Sequence, residues 1–307
     1  MHLSNPFEVP DPALYAIPFF VITLVIETFL IIKHYHKAYD FKEALASISM
    51  GIGVLFVNVV SKTLYLTLFL FIYKYRIFAF LGPNSIDDVL SFQWHIQHYW
   101  VWILLLFADD FIFYWFHRAA HEVRILWAGH VNHHSSQEYN LATALRQGWW
   151  EDIYKYNFWI VLVLVGFHPY MIFMMMQFSL IYQYWIHTEL INRLGFLEWF
   201  MNTPSHHRVH HSSEINYLDK NYAGIFIIWD RLFGTFQEEE HTPKYGITEN
   251  IHTHNPLKIA THELIAVSKD FFRTKGFSNK IKYLFLAPGW SDSGEDKRAR
   301  VLQRKIK

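Results

Sequence analysis

Residues 99–134 read YWVWILLLFADDFIFYWFHRAAHEVRILWAGHVNHH, a run that begins apolar enough to cross a bilayer and ends in five histidines. The span from His98 through Arg118 therefore carries straight into a histidine motif, at the membrane–water boundary. His117 and His121 are spaced i, i+4 at the end of that helix, which puts both imidazoles on one face, one turn apart. The same stripe runs back through Tyr114 and Asp110, at i−3 and i−7 from His117. A carboxylate on that face is suited to accept the free ring N–H of a ligand histidine, fixing its tautomer and raising its basicity. Glu122 lies beside the same site.

The histidines are unevenly spread. Of 20 in the chain, five fall between His117 and His134 and four between His206 and His211. His130, His133 and His134 form an H-x2-H-H triplet and His207, His210 and His211 a second, each offering three nitrogens from one helical face. His187 stands between them, with Gln183 one turn earlier. These nine are too many for one ion of four to six ligands and suit two ions sharing a site. All-imidazole ligation suits zinc, iron, copper or nickel rather than magnesium or calcium, and a structural zinc would normally include cysteine. Iron performing oxygen chemistry explains a dinuclear site at a membrane surface better. A metalloprotease would need H-E-x-x-H, but the first motif reads H-R-A-A-H-E, with the glutamate misplaced. His206 is ambiguous, able to donate from behind the ligands. The scattered His2, His34, His36, His95, His98, His168, His241, His252, His254 and His262 read as packing or capping residues.

Composition narrows the field further. The 307 residues are 52% hydrophobic and 18% charged, with formal net charge zero, so no basic footprint for nucleic acid exists. The absence of cysteine excludes disulfides, thiolate haem, iron–sulfur clusters and cysteine nucleophiles. Met1 to Pro12 lacks the basic region of a signal peptide. Leu14–Lys33 is long enough to span a bilayer, with Glu27 as its one carboxylate, expected to be structural. A second span runs from about Ile48 to Tyr73. Tyr156–Trp185 is apolar but broken by Gly166, His168 and Pro169, which predicts a re-entrant hairpin or one kinked span. The expected fold is all-α: an integral membrane helical bundle with a histidine-rich helical cap at the membrane surface, one domain over 1–307. Residues 110–240 form its catalytic region and 291–307 a flexible basic tail. Flanking lysines and arginines place the site on the cytoplasmic side of a multi-pass protein.

The order H-x3-H, H-x2-H-H, H-x2-H-H, opened by D-x3-Y-W-x-H-R, resembles the fatty acid hydroxylase and sterol desaturase superfamily of membrane diiron enzymes. The stretches WAGHVNHHSSQEYNLATALRQ, WIHTELINRLG, NTPSHHRVHH and DKNYAGIFIIWDRLFGTF are similar to its alkylglycerol monooxygenase branch, tetrahydrobiopterin-dependent enzymes that cleave ether lipids. The likeness runs from about Asp110 to Trp290. It implies as ligands of two iron ions His117, His121, His130, His133, His134, His187, His207, His210 and His211. It also implies that Glu122 is functionally required, and that Gln183 stands where some members carry another histidine. The chain stops soon after Trp290, where the animal enzymes of that branch continue with further hydrophobic segments. The resemblance implies an endoplasmic reticulum location in a eukaryote and an inner-membrane one in a bacterium. The expected activity is a mixed-function oxygenase on a membrane lipid, with O2 as co-substrate and electrons from a reduced pterin or a partner electron-transfer protein. The aromatic-rich spans around Trp115, Phe116 and Met171–Phe178 are candidates to line an apolar channel. A sterol or fatty acyl hydroxylase or desaturase is the alternative. A non-catalytic membrane metal-binding or transport protein fits less well, because most motif histidines lie outside the spans.

Overall fold

The structure, a computed structural model, describes residues 12–34 and 38–306. The expectations placed on His2, His36 and the segment before Pro12 lie outside these residues. Three helices are long and apolar enough to cross a membrane: α1 (Pro12–Lys33), α2 (Phe41–Tyr73) and α5 (Tyr99–Glu122). At about 1.5 Å per residue each exceeds the roughly 30 Å of a hydrocarbon core. Two short helices, α3 (Ile86–Leu90) and α4 (Phe92–Gln97), join α2 to α5. The remaining helices are α6 (Arg124–His134), α7 (Leu141–Ala144), α8 (Ile160–Val165), α9 (Pro169–Trp185), α10 (Pro204–His210), α11 (Ile228–Phe233), α12 (Pro256–Arg273), α13 (Phe277–Phe285) and α14 (Ala299–Lys305). Among the described residues the regular elements are all helical, with one isolated bridge between Ser212 and Tyr245. This is a helical membrane protein.

α2 begins seven residues before its expected start at Ile48. Asp40 caps it, accepting from the backbone N–H groups of Lys42 and Glu43. The added turns carry a charged group inward: Glu43 meets the Arg146 guanidinium at 3.2 Å and the His254 ring at 2.9 Å. The apolar stretch after Tyr156 divides into α8 and α9 rather than one kinked helix. Gly166, at φ +138°, closes α8, and a Cβ there would lie 2.2 Å from the Phe78 carbonyl oxygen. His168 then caps α9, with Pro169 at its first turn. Six-residue α8 rises only about 9 Å, far short of a bilayer.

The membrane-level core packs Phe69, Val101, Leu105, Phe116, Trp159 and Met171 together. Phe116 and the α9 residues Met171, Ile172 and Met175 are thus part of the packing, whereas Trp115 rests on Phe233 at the α5 surface. Glu27 is structural, as expected. It is buried, and its two oxygens accept from the Leu141 N–H at 2.7 Å and the Thr188 hydroxyl at 2.5 Å. The C-terminal segment is less free than its composition suggests. Within it α14 docks through Gln303, which donates to the Ile215 and Leu218 carbonyls, and through Arg300, which pairs with Glu122.

Candidate metal centre

All nine motif histidines are buried and come together in two groups. His117, His121, His130, His134 and His210 form the first; His133, His187, His207 and His211 form the second. Within each group one nitrogen per residue lies within 4.8 Å of all the others. The triplets do not act as units. In each helix the i, i+4 pair stays together: His117 with His121, His130 with His134, His207 with His211. The remaining member of each triplet, His133 or His210, serves the opposite group. Neighbouring residues on a helix diverge by about 100° around its axis, so adjacent histidines point to different centres. Helices α6 and α10 therefore straddle both groups and hold them side by side. The rings of His134 and His211 stack across the boundary at 4.4 Å.

Four of the rings are oriented from behind by backbone carbonyls. The Nδ1 atom of His117 faces the Tyr222 carbonyl at 2.7 Å, that of His187 the Gln183 carbonyl at 2.7 Å, and that of His210 the Lys220 carbonyl at 2.9 Å. His133 Nδ1 faces the Arg146 carbonyl at 3.2 Å. A carbonyl can only accept, so these Nδ1 atoms carry the proton and their Nε2 lone pairs face inward. Those Nε2 atoms crowd together: His117 to His130 at 2.9 Å, His187 to His207 at 3.0 Å and to His133 at 3.1 Å. The Nε2 atoms of His121, His210 and His211 are buried without a hydrogen-bond partner. Burial and neighbouring imidazoles push His133, His134, His207 and His211 well below the ordinary histidine range. Burial likewise takes His187 down to about 4 and His210 to about 3. The site is a cage of neutral imidazoles whose unshared pairs point at two centres. An all-nitrogen donor set with orphaned inward atoms fits a pair of transition-metal ions such as iron.

Two carboxylates stand behind the first group, and sequence reasoning missed both. Glu151 Oε2 lies 2.6 Å from His130 Nδ1. Burial alone would raise its carboxyl, but His130 and Lys155 hold it below the usual range. Asp219 Oδ1 lies 3.8 Å from His121 Nδ1. Asp219 has φ +57°, and burial, with Glu122 nearby, pushes it up to about 7.

The other expected site residues lie around this cage. Asp110 does not receive a ligand histidine's N–H. Its oxygens accept from the backbone of Ile225 and Phe226 and from the Trp229 indole, at 2.7–2.9 Å. The turn between Tyr222 and Trp229 presses so close that a Cβ on Gly224 would lie 2.8 Å from Asp110 Oδ1. Asp230 holds the same turn through the Tyr222 and Ala223 N–H groups, and Tyr222 in turn supplies the carbonyl behind His117. Asp110 thus positions His117 at one remove. Tyr114 is buried, with its hydroxyl between Thr235 and Arg118. Glu122 is half-exposed and paired with Arg118 and Arg300. The Gln183 side chain donates to Ser179 while its backbone carbonyl serves His187. His206 lies outside both groups, edge-on to Phe236.

Fold and site together define a helical membrane protein with a paired histidine centre, and residues 102–235 match the fatty acid hydroxylase family. Its curated relatives include the human alkylglycerol monooxygenase, 41% identical over 288 residues, covering 92% of this chain and 61% of that protein. The Xenopus tropicalis alkylglycerol monooxygenase is 40% identical over 290 residues, covering 94% and 61%. That of Danio rerio is 46% identical over 192 residues, covering 62% and 43%. The chain thus spans about three fifths of the length of the first two relatives. No solved structure matches.

Proposed function

We propose that the nine histidines hold two iron ions and that the protein is a membrane monooxygenase, hydroxylating the ether-linked carbon of alkylglycerols. The observation that carries this reading is the convergence of nine buried imidazole nitrogens on two adjacent centres. The bound pair would supply the reductive activation of dioxygen needed to attack an unactivated C–H bond. Carbonyls and carboxylates behind the rings keep the Nε2 lone pairs inward, so the cage is preorganised for binding. Depressed proton affinity keeps the imidazoles available at neutral pH. One oxygen atom enters the carbon beside the ether oxygen, and the resulting hemiacetal collapses to a fatty aldehyde and glycerol. The other atom leaves as water, with two electrons and two protons supplied by tetrahydrobiopterin or by an electron-transfer protein. The names of the relatives support the ether-lipid substrate. Glu122, next in the chain to His121, is proposed to be required, with the site facing the cytoplasm.

The test uses the detergent-purified chain, with bound metal measured and alkylglycerol turnover assayed with tetrahydrobiopterin and, separately, with an electron-transfer system. We expect two irons per chain, and loss of iron and activity in His133→Ala. Absence of iron, or full activity after that substitution, would overturn the reading. Oxidation of sterols or acyl chains without ether cleavage would keep the chemistry and replace the substrate.

A further inference from the structure

Outside the histidine cage, two amphipathic helices ahead of α14 have outer faces with no protein partner among the described residues. Helices α12 and α13 both turn toward Arg124. Its guanidinium pairs with Glu263 and Asp270 of α12, at 2.9 and 2.7 Å, and lies 5.6 Å from the Tyr283 ring of α13. The inward residues Ile259, Ala260, Val267 and Tyr283 are buried. The opposite faces are apolar instead of polar. On α13, Phe277, Ile281 and Phe285 follow at i, i+4 and i+8, and Phe277 is 76% exposed. On α12, Leu257, Ile265 and Phe272 form the matching stripe, with Phe272 78% exposed. These values are close to that of Phe56 in the α2 span, 74%, a residue whose natural surroundings are lipid. Both helices face Arg124 with one side, so their stripes lie on the surface turned away from it.

Charge and position identify what covers this surface. Residues 256–285 carry six basic side chains, Lys258, Lys269, Arg273, Lys275, Lys280 and Lys282, against two acids, Glu263 and Asp270. Both acids are already paired with Arg124, so the outward charge is positive. Ile259 and Ala260 pack on Ala46 and Met50 of α2, within two turns of the exposed Ile52, Leu55 and Phe56. The start of α12 therefore sits against the N-terminal part of α2, beside the exposed apolar Phe41 and Leu45 at that end of the span. Apolar stripes bordered by lysine and arginine in that position match the interfacial zone of a bilayer, where rings enter the acyl boundary and basic heads remain among phosphates.

We propose that α12 and α13 lie on the membrane surface, their Phe272 and Phe277–Phe285 stripes inserted among anionic lipid headgroups that pair with the flanking basic residues. This surface is separate from the histidine cage and does not rest on the proposed reaction.

The cysteine-free chain allows a direct test. Single cysteines are placed in the full-length protein by Phe277→Cys, Ile281→Cys and Phe272→Cys, with Ser293→Cys in an exposed loop as the aqueous control. Each is spin-labelled in nanodiscs of phosphatidylcholine alone or mixed with phosphatidylglycerol. The readout is relaxation by dissolved oxygen, which concentrates in lipid, against that by a water-soluble nickel chelate. The expected result is several-fold higher oxygen-to-nickel accessibility at 272, 277 and 281 than at 293, deepening when phosphatidylglycerol is present. Lys275→Glu combined with Lys282→Glu should abolish the phosphatidylglycerol effect, since an anionic surface attracts each basic group within a Debye length. Free nickel access at all three positions would overturn the proposal. So would protection from both reagents, which would place a protein partner or a second copy on this face. The labelled positions lie on the outer faces, so each cysteine exchange leaves the buried side of its helix intact.

Discussion

The two histidine groups share helices α6 and α10 yet are supported differently. The first has five imidazoles, with the Glu151 carboxylate on one ring and Asp219 near another. The second has four, oriented by the backbone carbonyls of Arg146 and Gln183, with no carboxylate in hydrogen-bond contact among the described residues. Carboxylates and carbonyls behind a ligand ring both fix its tautomer and raise its basicity, and a carboxylate adds a full negative charge. The first group thus has one more imidazole and carries charged support that the second lacks among the described residues.

The largest effect should come from removing one imidazole in each group. His187→Ala leaves three donors in the second group and should abolish its ion and all turnover. His130→Ala leaves four in the first and should retain an ion there at reduced affinity. Iron content per chain reads the contrast, and equal losses would break it. Next in size is Glu151→Gln, which keeps the shape but removes the charge behind His130. Loss of such a partner costs about 10–100-fold in metal affinity or activity. Metal titration should show the loss confined to one of two binding phases; loss in both would show that the groups are not independent. Asp110→Asn should act more weakly, because the amide cannot accept from all three donors of the Ile225–Trp229 turn. Leaving one unsatisfied costs about 1–3 kcal/mol, read as a lower melting temperature with weakened metal retention in the first group. The smallest change is expected for Gln183→Ala. The carbonyl that serves His187 survives, so iron content should hold and stability fall by less than about 1 kcal/mol. Loss of iron there would make the amide itself a ligand.

Much of this arrangement was legible from residue spacing. An i, i+4 pair of histidines can hardly do other than share a face, and the structure keeps all three such pairs together. The interleaving of the triplets was not legible, since it depends on how α6 and α10 are placed against α5. Supporting carbonyls leave no trace in side-chain identity: any residue at 222 or 220 could supply one. Glu151 lies 17 residues beyond His134 and reaches the site only because the chain turns back through α7 and the buried Arg146. Asp110 was legible as a buried carboxylate on the ligand stripe of α5, but not its partner. Its side chain meets the Gly224 turn, whose proximity only the fold discloses. The long spans were readable from hydropathy, while the true start of α2 depended on an inward-facing Glu43 and its Arg146 partner.

Glu27 carries a consequence beyond its two hydrogen bonds. Its helix, α1, is mostly exposed along its apolar faces and meets the bundle through Glu27 and through Phe20 and Thr23, which contact Tyr184 of α9. The carboxylate fastens it to Leu141 at the start of α7 and to Thr188, the immediate chain neighbour of His187. A carboxylate cannot be left unpaired in hydrocarbon at modest cost, so tilting α1 must drag both segments along. Glu27 thereby joins a helix of membrane-spanning length to the residue next to a ring of the second group, so the seat of His187 is built partly from α1.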